Sequence, residues 1–91
     1  MNDFSLTFVT RHGCHLCEDA FAVVTRVSRG LGVPIRVVQI EDDDELVRLY
    51  SFRIPVLLGP RGEVLAESAM AERPLRKVIR SARRSARRRS V

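Results

Sequence analysis

A chain of 91 residues is long enough for one hydrophobic core and too short for two independent ones. Hydrophobic residues at 45% and charged residues at 30% exclude a mainly disordered or collagen-like chain, and no apolar run approaches the ~18 residues of a helical membrane span. The formal charge of +5 is unevenly placed: Met1 to Glu72 holds seven of the 16 basic residues and all 11 acidic ones, so a mildly acidic body carries a strongly basic end. No apolar stretch follows the amino terminus in signal-peptide fashion, so a cytoplasmic protein without a membrane partner is expected. In that reducing compartment two cysteines are more often redox-active or catalytic than structural.

The run Phe4-Ser5-Leu6-Thr7-Phe8-Val9-Thr10 alternates apolar and polar residues and predicts a strand ending at Arg11-His12-Gly13. From Cys14 the period changes. Cys17, Ala20, Phe21, Val24, Val27 and Leu31 recur at spacings of three and four, which predicts a helix with one apolar stripe, ended by Gly30 and Gly32. Past Pro34, Ile35–Ile40 reads as a second strand, and a helical crossover of this length implies a right-handed βαβ unit with parallel strands.

The acidic run Glu41-Asp42-Asp43-Asp44-Glu45 lacks the spaced ligand loop of a calcium site. Asp42 or Asp43 is instead expected to cap a short helix bearing Leu46, Val47, Leu49 and Tyr50. Ile54–Leu58 is a third strand, Gly59-Pro60-Arg61-Gly62 a turn, and Glu63–Glu67 a fourth strand in an antiparallel hairpin with it. A last helix starts near Glu72, tolerates Pro74 in its first turn and aligns Leu75, Val78, Ile79 and Ala82. The order β-α-β-α-β-β-α defines an α/β fold without internal repeats.

The domain is expected to span residues 1–82, with 83–91 as a basic tail. Basic residues recur from Arg76 to Arg89, and the tail reads foremost as a solvated, fraying helix end whose cations suit the helix dipole. No aromatic residues interleave its arginines, so any nucleic-acid contact through it would be non-specific, by phosphates, and steeply salt-dependent.

Cys14-His15-Leu16-Cys17 falls where the first strand becomes the first helix. Two cysteines three apart on a helical turn can bring their sulfurs within disulfide reach, and the first faces free backbone N–H groups and the positive end of the dipole. A thiolate is favoured at Cys14, while Cys17, one turn deeper on the apolar stripe, is kept a thiol by desolvation. The roles follow: Cys14 attacks a substrate disulfide and Cys17 resolves the mixed disulfide. Arg11 and His15 are the candidate groups that tune the thiolate, with His12 behind them. A structural zinc is not expected. His12, Cys14, His15 and Cys17 crowd into six residues, whereas tetrahedral sites usually join two separated ligand pairs.

With motif and segment order together, residues 4–82 resemble the glutaredoxin-like proteins of the thioredoxin superfamily. The resemblance rests on Leu6–Cys17, containing Arg11-His12-Gly13-Cys14-His15-Leu16-Cys17, and on Arg53-Ile54-Pro55-Val56-Leu57. It implies a thioredoxin-like fold, a four-stranded mixed sheet flanked by three helices. It also implies a cis peptide bond before Pro55, which lies against the active-site disulfide, and an Ile54 backbone free to pair with a substrate chain or glutathione. Arg11 stands where glutaredoxins commonly carry a lysine. Two features depart from the family pattern. Its usual Cys-Pro-Tyr-Cys is Cys-His-Leu-Cys here, and Glu67-Ser68-Ala69-Met70 replaces the paired glycine and aspartate that hold glutathione.

The expected function is that of a monomeric thiol–disulfide oxidoreductase acting on protein or small-molecule disulfides. It needs no bound cofactor, and glutathione or thioredoxin reductase are the candidate electron sources. Two alternatives use the same residues: a redox-sensitive binding module whose disulfide switches a surface, and a metal or iron–sulfur carrier bridging two chains.

Overall fold

The computed structural model describes residues 4–89. Its elements are β1 (Leu6–Thr10), α1 (His15–Leu31), β2 (Ile35–Gln39), α2 (Asp44–Tyr50), β3 (Val56–Leu58), β4 (Val64–Glu67) and α3 (Glu72–Arg89), with a 3₁₀ turn at Ile40–Asp42 before α2. The sheet order is β2-β1-β3-β4. β1 runs parallel to β2, Leu6 opposite Ile35 through Thr10 opposite Gln39, because the α1 crossover returns the chain to the same end of the sheet. β3 is antiparallel to β1, with Thr7 opposite Leu58 and Val9 opposite Val56, and forms the expected hairpin with β4.

The buried side chains divide between the two faces of this sheet. Phe4, Leu6, Phe8, Val24, Val27, Leu57, Leu75 and Ile79 make the larger core beneath α1 and α3. Val9, Ile40, Tyr50, Val56 and Leu58 make a smaller one, against which Leu46 of α2 and Ile54 pack. Each buried aliphatic or aromatic side chain contributes roughly 1.5–3 kcal/mol, so the sheet is held chiefly from the α1/α3 side. Phe21, expected on the buried stripe, lies at its edge: it is 41% exposed, with its ring 5.5 Å from that of Phe8.

Strand ends move inward by a residue or two, to Leu6, Gln39 and Val64, and two boundaries shift for identifiable reasons. Gly30 lies inside the last turn of α1, and Gly32 alone ends the helix, at φ 68°, its N–H donating to the Arg29 and Ser28 carbonyls. A left-handed residue is what a helix end needs, and glycine takes it without steric cost. The third strand begins at Val56 rather than Ile54, because Ile54 and Pro55 form the cis-bonded approach to it. The last helix continues through the basic end, as the reading of that end as a helix extension expected. It runs unbroken to Arg89, Ala86 packs against the larger core, and Arg83 Nη1 donates to the Leu31 carbonyl at 2.8 Å. Ser90 and Val91 of the basic end lie outside the described residues. Among the described residues no helix is long and apolar enough to cross a membrane.

Candidate active site

Gly13, at φ 70°, turns the chain from β1 into α1 and places Cys14 at the helix cap. Cys14 has extended backbone angles (φ −109°, ψ 107°), and its carbonyl accepts the Glu18 N–H at 3.1 Å. Where serine or aspartate usually caps, the Cys14 sulfur accepts the Cys17 N–H at 3.1 Å. The two cysteines are joined as a disulfide with their Cα atoms 5.2 Å apart. They are not equivalent. Cys17 is 2% exposed within the α1 stripe, while Cys14 is only half-buried. When the disulfide is reduced, an N–H donor and the helix dipole both favour negative charge on the Cys14 sulfur.

The Ile54–Pro55 bond is cis, as the resemblance implied. Pro55 is fully buried, and its carbonyl accepts the Ser68 N–H at 2.9 Å, which ties the start of β3 to the end of β4. Ile54 is half-buried, and nothing hydrogen-bonds to its backbone among the described residues.

Arg11 and His15 both lie on the exposed rim. Arg11 Nη2 donates to the Ser51 carbonyl at 3.2 Å, so its guanidinium links the loop before Cys14 to the turn before Pro55. His15 is 97% exposed at the first position of α1, with Nδ1 3.6 Å from Glu18 Oε1. His12 is exposed in the turn. No group of three or more His, Cys, Asp or Glu is placed to hold a metal ion among the described residues.

Beyond Arg53 of the Arg53-Ile54-Pro55 segment, the turn before Pro55 carries no pattern in the sequence. Arg53 stacks over Tyr50 with Cζ 5.2 Å from the ring centre, and its Nε donates to Glu67 at 2.6 Å, so it braces the turn between α2 and β4. Phe52 beside it is fully exposed. Neither residue belongs to a periodic pattern. The only sequence signal was their position just ahead of Ile54-Pro55.

A four-stranded mixed sheet, three helices, a disulfide at the first strand-to-helix junction and a cis-proline before β3 define a thioredoxin-fold protein with a redox-capable centre. The fold likeness extends to thioredoxin 1 from Thermosipho africanus, at TM-score 0.59 and 11% identity over 96% of this chain and 99% of that one. The glutaredoxin-like domain family model (DUF836) matches residues 5–79, and the chain belongs to that family. It is also similar to a structural-genomics target from X. campestris solved by X-ray crystallography, at 30% identity and TM-score 0.71, covering 85% of this chain and 97% of that one. A protein from Nitrosomonas europaea solved by NMR is 28% identical, with TM-score 0.70 over 86% of this chain and 88% of that one. No curated protein matches the chain.

Proposed function

We propose that the protein is a thiol–disulfide oxidoreductase in which Cys14 attacks and Cys17 resolves. The observation that carries this reading is the asymmetry of the pair: the half-buried sulfur receives a backbone N–H at the helix start, and the other sulfur is buried one turn deeper. In the reduced protein the Cys14 thiolate attacks one sulfur of a substrate disulfide R–S–S–R′. The Cys14–S–R bond forms, the S–S bond of the substrate breaks, and R′–S⁻ leaves with the electron pair and takes a proton. Cys17 then loses its proton and attacks Cys14 Sγ. The Cys14–Cys17 disulfide forms and R–S⁻ departs, so two electrons have passed from protein to substrate.

The Ile54 backbone, to which nothing hydrogen-bonds among the described residues, is suited to pair with an extended substrate strand beside the disulfide. The substrates are protein or small-molecule disulfides, and the regenerating electrons come from glutathione or from thioredoxin reductase. Arg11, on the rim, acts on the Cys14 thiolate through its charge, and His15, next to Cys14, is the second group that tunes it.

The test is disulfide reduction followed with each donor system in turn, on the parent protein and on Cys14→Ser and Cys17→Ser. Cys14→Ser is expected to abolish turnover with both donors. Cys17→Ser is expected to perform the first exchange and accumulate a mixed disulfide visible by mass spectrometry. Retention of full activity by Cys14→Ser overturns the proposal.

A further inference from the structure

α3 presents two opposite faces. Leu75, Val78, Ile79, Ala82 and Ala86 are spent on the larger core. Arg73, Lys77, Arg80 and Arg84 stand at spacings of four, three and four, which places them within an arc of about 60° on the outer side. With Arg76 they form one open cationic surface along the helix. Arg76 is engaged by Glu72 at 2.7 Å, but no carboxylate pairs with the other four among the described residues. No acidic residue follows Glu72 in the sequence to neutralise them, and the stripe continues with the exposed Arg87 and Arg88.

From these observations we infer that the outer face of α3 binds the phosphate backbone of a double-stranded nucleic acid, independently of the redox centre. The chemistry selects this occupant. Arginine presents a planar fork matched to phosphate oxygens, and the four cations form a straight line about 16 Å long on a rigid helix. A duplex offers a continuous line of charge to meet it, one phosphate per about 1.7 Å of axis. A membrane surface fits poorly, because an interfacial helix must bury its apolar face in lipid and that of α3 is already inside the protein. A single strand would call for stacking aromatics, and none lies between Arg73 and Val91.

The acidic body adds orientation. Its net excess of carboxylates makes the body less attractive to a polyanion than this helix, which favours encounter through α3. Arg83 meets the last residue of α1, roughly 24 Å along that helix from the cysteine end, so contact through the basic end of α3 leaves the disulfide open.

The experiment is fluorescence anisotropy with labelled 20-base-pair duplexes of DNA and of RNA, from about 50 to about 200 mM salt. Each neutralised phosphate adds about −0.9 to the slope of log affinity against log salt, so four contacts give at least a ~150-fold loss of duplex affinity across that range. The double variant Arg80→Gln/Arg84→Gln, altered only at exposed side chains, is expected to lose ~12-fold less than the parent over the same range. Arg36→Gln on β2 is expected to keep the parent's salt dependence, and Cys14→Ser the parent's affinity. Preference between the two duplexes identifies the source of the phosphates. The inference fails if neither duplex binds at low salt, if Arg36→Gln flattens the salt dependence as much as the α3 variant, or if polyglutamate or phosphatidylserine vesicles bind more tightly than both duplexes.

Discussion

Ser68 closes β4 with its backbone in the left-handed region, at φ 64°, and it is the non-glycine residue that does so among those described. For an L-residue that conformation costs roughly 1–2 kcal/mol, because Cβ crowds the following carbonyl. The geometry is held because the Ser68 N–H reaches the Pro55 carbonyl at 2.9 Å, next to the candidate site. Ser68→Gly removes the crowding, and the greater freedom of glycine in the unfolded chain returns ~0.5–1 kcal/mol of it. The net stabilisation is therefore about 0.75 kcal/mol at the middle of these ranges, a rise of about 3–6 °C in the midpoint of thermal unfolding of the oxidised protein. Ser68→Val should lower the midpoint, since a branched Cβ suits this conformation least. A lower midpoint for the glycine variant would show that the serine side chain contributes more than its backbone costs. Nothing in Glu67-Ser68-Ala69-Met70 announces a left-handed residue, because serine rarely takes that conformation. The dithiol pair was legible for the opposite reason: its spacing and its place after a strand are both properties of the chain itself.

α2 has seven residues, too few to be stable in isolation, and it depends on its cap and on Leu46 and Tyr50 packing beneath it. Asp43 Oδ1 accepts the N–H groups of Glu45 and Leu46 at 2.9 and 3.1 Å. Asp43→Ala is therefore expected to cost about 1 kcal/mol, within the ~0.5–2 kcal/mol range of such caps, read as a lower urea midpoint with an unchanged slope. Asp43→Asn should recover most of it, and a loss as large as that of alanine would assign the effect to charge instead of the cap hydrogen bonds. Because Ser51, the residue that caps the end of α2, holds Arg11 through its carbonyl, loosening this helix also loosens the turn that leads to Pro55. Elements with a strong period were readable: the α1 stripe, the alternation of β1, and the cap narrowed to Asp42 or Asp43. Their ends were less so. Which of Gly30 and Gly32 stops α1 depends on which adopts positive φ, and the helical basic end expected after Ala82 is held by Ala86 on the core and by Arg83 on the Leu31 carbonyl. Those are tertiary contacts with partners distant in the sequence, and no local pattern encodes them.

At the scale of the molecule, α1 and α3 are joined across the larger core, and Glu72 is the joint on the surface above it. It receives Arg26 of α1 at 3.0 Å and Arg76 of its own helix at 2.7 Å. The sequence marked Glu72 only as a helix start, a place where a carboxylate also suits the dipole. Its link to a residue 46 positions earlier required the fold. The hydrogen bonds from Arg76 and then Arg26 hold the Glu72 carboxyl below its ordinary value. With its affinity for protons lowered on folding, the unfolded chain binds the proton more readily across the acid range. The contribution to stability is thus complete above the ordinary carboxylate value and is lost as pH falls through the lowered one. Glu72→Gln should flatten this part of the acid limb, measured as urea midpoints from about pH 6 down to about pH 2. The difference between parent and variant should be largest near neutral pH, close together at the acid end, and smaller in salt, because the pair is solvent-exposed and screened. If both proteins lose stability in parallel as the pH is lowered, the α1–α3 joint does not act through Glu72, and the apolar contacts of Leu75, Ile79, Val24 and Val27, with the Arg83–Leu31 hydrogen bond, hold the two helices together.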